Sequence, residues 1–310
     1  MQNTNLERIK LINKYIVPPF SILDTRQDYW YRRKDQWGIV TKRGRDGRHD
    51  NLIGAGHAQY NSTSYKTFAP DTSVFDPVLA EVCYTWFCPQ GGLVLDPFAG
   101  GCTRGVVASH LGLQYVGVDL RQEQIAENLS NLSLASEPLP TWICGDSADI
   151  DKLVTTPADM LFSCPPYADL EVYSDNPRDI SNMTYPAFCD VYRDIISKSC
   201  NLLNDDSFAA FVVGEARSRD GDYYNFVGDT IRAFIDAGLK YYNEIILINE
   251  AGTAAMRSEK YLTSSRKIAK VHQNLLVFVK GDAKRAAERC GDVVMRNLEI
   301  DTNKDQISLF

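Results

Sequence analysis

The chain has no run approaching the ~20 apolar residues that a helix needs to cross a bilayer. Its opening, Met1 to Lys14, is polar and charged and lacks the apolar stretch of a signal peptide. These two absences lead to the expectation of a cytoplasmic protein without a membrane partner. Metal-binding patterns are missing as well. There are eight cysteines and four histidines, but no CxxC pair occurs and the histidines complete no zinc-like spacing. No metal is therefore expected, and thiols such as Cys83 in LAEVCYTWF read as small buried hydrophobes in a reducing compartment. The absence of GKS or GKT excludes a P-loop, and the absence of GxGxxG argues against a dinucleotide. Neither an internal repeat nor a low-complexity tract is present. Positive charge is in deficit: 33 Lys and Arg against 40 Asp and Glu leave a net charge of −7, which argues against an undifferentiated nucleic-acid binder.

The positive charge that exists is clustered. Residues 26–49 carry Arg26, Arg32, Arg33, Lys34, Lys42, Arg43, Arg45 and Arg48 against three aspartates. Residues 257–270 carry Arg257, Lys260, Arg266, Lys267 and Lys270 against Glu259 alone. Tyr29, Trp30, Tyr31 and Trp37 are interleaved with the first cluster. Two readings of these aromatics stand open: platforms that stack on bases, or anchors that pack an N-terminal arm onto the core.

From residue 73 onward, strands and helices alternate. Pro near the start of 76–87 marks a helix. LVLDPF at 93–98 reads as a buried strand, followed by a helix over 103–112 that Gly112 ends. Strands follow at 115–120, 141–146, 159–167, 207–215, 241–249 and 274–280, with helices over 121–134, 187–203 and 226–237. Residues before about 70 read as irregular, with VPPFSILD extended because a residue preceding proline avoids the helical region. Such a βα succession implies a mostly parallel sheet covered on both faces, with ligands at the carboxyl ends of the strands.

The residues at those ends are chemically distinctive. Asp96-Pro97-Phe98-Ala99-Gly100-Gly101 turns from strand to helix where glycines permit close backbone approach to a ligand. Asp119 ends the next strand, where a carboxylate can accept from both hydroxyls of a ribose. Asp146 ends the third and suits an adenine amino group. Both could instead be plain helix N-caps. The fourth strand runs into Ser163-Cys164-Pro165-Pro166-Tyr167. Two prolines remove two N–H donors and stiffen the chain, leaving carbonyl acceptors beside an aromatic face. An exocyclic base amino group is a poor nucleophile, and acceptors aimed at its N–H bonds stabilise the cation that forms as it attacks. His272 reads as structural rather than as a general base.

DPFAGG together with CPPY resembles the amino-methyltransferase family of DNA modification enzymes, with its FxGxG and (D/N/S)PPY motifs, over roughly residues 70–280. VPPFSILDTRQDYWYRRKDQW is similar to a phage- and prophage-associated subgroup. The resemblance implies a Rossmann-like class I methyltransferase with a mostly parallel seven-stranded sheet and helices on both faces. It also implies S-adenosyl-L-methionine as cofactor, held by Ser73, Phe75, Asp96, Phe98, Gly100, Gly101, Asp119 and Asp146. Cys164, Pro165, Pro166 and Tyr167 would form the catalytic site. Cys164 departs from the family's Asp, Asn or Ser, and a thiol is a weaker acceptor. The implied partner is duplex DNA carrying a short recognition sequence, with a flipped base methylated at adenine N6 ahead of cytosine N4, and with any restriction nuclease on a separate chain. Residues 1–72 would form a DNA-contacting extension, 73–280 the catalytic domain with a further contact in the 250–272 insert, and 281–310 a C-terminal helix and tail. Arg32, Arg33, Lys34, Arg43, Arg266 and Lys267 are the candidate nucleic-acid contacts. The alternatives are an RNA-base or protein-glutamine methyltransferase, or a silent nucleic-acid-binding homologue.

Overall fold

The computed structural model describes residues 2–38, 40, 74–167, 173–218, 220–252, 254–296 and 298. The sheet begins with the segment expected to be irregular. Helix α1 (Gln2–Tyr15) leads into a short strand β1 (Ile22–Asp24) and a second helix α2 (Asp28–Gln36). Next come α3 (Pro77–Phe87), β2 (Leu93–Asp96), α4 (Thr103–His110), β3 (Gln114–Asp119), α5 (Gln122–Ser130), β4 (Thr141–Cys144), α6 (Ile150–Leu153) and β5 (Ala158–Ser163). The chain continues through α7 (Tyr185–Leu202), β6 (Leu203–Val213), α8 (Phe226–Asp236), β7 (Lys240–Ile248), α9 (Ala254–Ser265), β8 (His272–Lys280) and α10 (Ala283–Cys290).

One sheet runs in the order β1-β7-β8-β6-β5-β2-β3-β4. All neighbours are parallel except β8, which is antiparallel to both β6 and β7. This is the Rossmann-like class I methyltransferase fold, a mostly parallel sheet flanked by helices. The expected seven strands become eight because β1 adds to the outer edge of β7, pairing Ile22 with Ile246 and Leu23 with Leu247. The strand falls within VPPFSILD, read from the sequence as extended, but three residues are too few for a periodicity signal that would place it in the sheet. The insert after β7 likewise carries a helix, α9, that its polar composition concealed.

Alternation along the inner strands divides the core in two. Val94, Met160, Phe162, Ala210 and Val212 face one layer, and Leu95, Leu161, Phe211 and Phe278 face the other. The first layer is completed by α3, α4 and the N-terminal segment, the second by α7 and α8. Helix α3 starts where Asp76 accepts from the backbone N–H of Val78 at 2.9 Å, with Pro77 in the first turn. Trp30 and Trp37 are buried in the first layer, which decides between their two readings: they anchor the N-terminal segment instead of stacking on bases. Each indole N–H is paired, Trp30 with Asp76 at 3.2 Å and Trp37 with Glu81 at 3.0 Å. Arg33 is buried beside them and makes an ion pair with the fully buried Glu81. Among the described residues no helix is long and apolar enough to cross a membrane.

Candidate active site

The carboxyl ends of the central strands open on a cavity of about 570 Å³. Its lining includes Phe75, Phe98, Gly100, Gly101, Asp119 and Asp146 on one side, and Cys164, Pro165, Pro166 and Tyr167 on the other. The strand-end motifs thus meet in one space, as a donor and an acceptor of one group must. Ser73 lies outside the described residues.

Asp96 does not reach that space. It is fully buried, and both carboxylate oxygens are taken. Oδ2 accepts from Arg104 Nε at 2.6 Å and from the Tyr115 hydroxyl at 2.7 Å. Oδ1 accepts from the Ser163 hydroxyl at 2.6 Å and from the Phe98 N–H at 3.1 Å. The reading of Asp96 as a cofactor contact is corrected by this geometry: it is the knot that ties β2 to β3, β5 and α4. What reaches the cavity in its place is Arg104, whose Nη2 also donates to the carbonyls of Phe98 and Ala99 and whose guanidinium lies 4.7 Å over the Phe75 ring. No periodicity or motif marks Arg104; only the buried neighbour Asp96 explains a charge on that helix.

Gly100 turns the chain at φ +50°, a left-handed conformation that side chains with a Cβ resist. A Cβ built there would meet no protein atom within 4 Å, so the backbone faces open cavity. Its N–H donates to Asp119 Oδ2 at 2.9 Å, while the Arg121 N–H donates to Oδ1 at 2.9 Å. Gly100 is held from behind by Asn128, whose amide donates to its carbonyl at 2.7 Å, and Gln124 donates in turn to Asn128 at 3.1 Å. Burial pushes the Asp119 carboxyl above its ordinary value, against the pull of the Arg121 and Gly100 N–H groups. Asp146 does two things at once. Oδ1 caps the next short helical turn at the Ala148 N–H, 2.9 Å away, and Oδ2 lies 3.8 Å from Arg178. N-cap and cavity wall are thus not alternatives for this residue.

This donor set fits S-adenosyl-L-methionine. Asp119 presents acceptors suited to two vicinal hydroxyls, Asp146 an acceptor suited to an amino group, and Gly100 a surface without a side chain. When bound, the cofactor supplies an electrophilic methyl group.

At the far end, Cys164 is half-buried on the cavity wall, followed by the two prolines. The Tyr167 hydroxyl accepts from Gln273 Nε2 at 2.6 Å, and its ring meets Phe226 edge-on at 6.0 Å between centroids. Thr25, Lys34, Asn249 and Glu250 also line the cavity. None of these four was legible as a site residue except Lys34, whose ammonium makes an ion pair with Asp76 at 2.8 Å. Of the other basic candidates, Arg32 and Arg266 are exposed and Lys267 is half-buried, whereas Arg33 is spent inside the fold on Glu81 and Gln36. Arg43 lies outside the described residues. His272 opens β8 and is not part of the cavity wall.

No family model matches the chain. A curated relative does. The tRNA (guanine(10)-N(2))-methyltransferase of Dictyostelium discoideum is 32% identical over 130 residues, 39% of this chain. The chain spans about a quarter of that relative, 24% of its length. Among solved structures, TrmN from Thermus thermophilus is similar at 15% identity and a TM-score of 0.42, over 66% of this chain and 48% of that one. A magnesium protoporphyrin IX methyltransferase from Synechocystis with bound SAM is similar at 11% identity and a TM-score of 0.40, over 62% and 71%. The curated relative acts on tRNA, and this overturns the assignment to DNA modification enzymes. Duplex DNA and the restriction nuclease fall with it. The physical reason is plain: a DPFAGG turn and a CPPY strand end report chemistry at an amino group, and that chemistry is indifferent to the sugar of the polymer.

Proposed function

We propose that this chain is an S-adenosyl-L-methionine-dependent methyltransferase acting on the exocyclic amino group of a base in RNA, with guanine N2 as the leading target. The observation that carries the reading is the single cavity with Asp119 and Asp146 at one end and Cys164-Pro165-Pro166-Tyr167 at the other. The similarity to a tRNA guanine-N2 enzyme supports RNA and guanine.

In this reading the CPPY strand end does the positioning. Tyr167, fixed by Gln273 and Phe226, stacks on the target base. Backbone carbonyls at Cys164 and Pro165 accept an amino N–H, favouring the pyramidal nitrogen whose lone pair attacks. The cofactor, held by Gly100, Asp119 and Asp146, would supply an electrophilic methyl group to that nitrogen, which would lose its proton afterwards. Proline at 165 and 166 keeps competing N–H donors out of that row. Arg32 and Arg266, both exposed, are left to neutralise phosphates.

The test is transfer of labelled methyl from S-adenosylmethionine to RNA and, in parallel, to duplex DNA. Label in RNA and none in DNA supports the proposal; label in DNA alone contradicts it.

A further inference from the structure

The polar wall facing Tyr167 carries a feature that the motifs do not explain. Asn249 and Glu250 follow directly on β7, and both line the cavity that holds the CPPY residues. Their position is fixed from two directions. Asn249 donates to Gln273 Oε1 at 3.1 Å, and Gln273 donates onward to the Tyr167 hydroxyl. From the N-terminal segment, both the backbone N–H and the hydroxyl of Thr25 donate to the Ile248 carbonyl, at 3.1 and 2.9 Å. Tyr31 on α2 donates its hydroxyl to Glu250 Oε1. The nearby cation Arg26 is already engaged by Asp24, at 2.8 and 3.1 Å. Among the described residues no hydrogen bond reaches Glu250 Oε2. The result is an exposed carboxylate on the cavity wall, next in the chain to Asn249, which two hydrogen bonds connect to the Tyr167 hydroxyl.

A carboxylate offers acceptors only. Guanine alone among the standard bases presents two adjacent donors on its pairing edge, N1–H and one N2–H. Adenine and cytosine set a ring-nitrogen acceptor beside their amino group, which a carboxylate repels. We propose that Glu250 is the specificity-determining residue, accepting the N1–H and the adjacent N2–H of the target guanine. This rests on the guanine-N2 reading above and deepens it. The second N2–H, on the N3 side, then points away from Glu250 and is left for the carbonyls of the CPPY strand end. Both in-plane amino hydrogens are occupied and the lone pair is displaced out of plane. It also gives the N-terminal segment a role in the site: through Tyr31 it holds the reading carboxylate in place.

The experiment uses RNA oligonucleotides carrying either guanosine or 2,6-diaminopurine riboside at the methylated position. Diaminopurine keeps the 2-amino group but replaces N1–H with an acceptor. The native protein is expected to prefer guanosine by at least tenfold in kcat/KM. Glu250→Gln should lose about 10- to 100-fold on guanosine, the range for a hydrogen bond to a charged group. It should also shift the preference toward diaminopurine, since the new amide can donate to N1. Affinity for S-adenosylmethionine should be unchanged, which verifies that the variant is folded. Tyr31→Phe should narrow the preference part of the way. An unchanged guanosine-to-diaminopurine ratio in Glu250→Gln overturns the inference while leaving guanine methylation intact. Absence of N2-methylguanosine with the native protein overturns the functional reading itself.

Discussion

Replacing Asp96 by asparagine should unfold this protein well before it weakens cofactor binding in whatever remains folded. Asp96 is fully buried, and its partner Arg104 has a side chain only 6% exposed. An asparagine at 96 leaves the largely buried guanidinium without its counter-charge. Breaking a buried pair from one side costs roughly 3–5 kcal/mol, out of a total of about 5–15 kcal/mol for a typical domain. Conversion at a few degrees per kcal/mol places the fall in Tm on the order of 10 °C. Thermal and urea unfolding followed by circular dichroism measure it directly. Pairing the change with Arg104→Met removes the orphaned charge and should recover part of the loss; recovery stays incomplete because Arg104 also supports the Phe98 and Ala99 carbonyls. If Asp96→Asn were as stable as the native protein yet lost its affinity for S-adenosylmethionine, the structural role assigned to Asp96 would be refuted.

The neighbouring carboxylate should behave oppositely. Asp119→Asn is expected to weaken S-adenosylmethionine binding about 10- to 100-fold by calorimetry, with a far smaller change in Tm than Asp96→Asn. Because burial raises the Asp119 carboxyl, cofactor affinity should begin to fall with acid above the usual carboxylate range. The sign for stability is the reverse: a raised native value favours the neutral form, so this group's contribution improves as pH drops through that value. Gly100→Ala should cost about 1–2 kcal/mol of stability from its positive φ, read from urea midpoints, and should weaken cofactor binding. Tyr167→Ala should lower the rate of methyl transfer by at least tenfold with cofactor affinity intact. Cys164→Asn, supplying a stronger acceptor, should equal or exceed the native rate in single-turnover assays.

What could be read in the sequence divides along physical lines. Buried strands such as LVLD and SFAAFVV announce themselves by composition, and the glycine turn and Pro-Pro-Tyr sit at their ends, so the sheet and most of the cavity were legible. Residues whose meaning depends on a distant partner were not. Asp96 reads as a ligand until Arg104, Tyr115 and Ser163 are seen to exhaust its oxygens. Arg33 reads as a phosphate contact until Glu81 is found beside it. The strand Ile22–Asp24 is too short for a period, and its membership in the sheet depends on β7, far along the chain. Glu250 sits in a polar insert with no motif, and only the fold brings Tyr31 to it. The polymer was misread for a different reason: the motifs encode the amino group, and nothing in them encodes the sugar.

Delivery of a methyl group to a base amino nitrogen in RNA is the chemistry proposed for the cavity. The most direct measurement is nucleoside mass spectrometry of RNA treated with the protein and trideuteromethyl S-adenosylmethionine. The expected product is N2-methylguanosine carrying the deuterated methyl, lost in Tyr167→Ala. A label on a ring nitrogen, on carbon or on the ribose would contradict it.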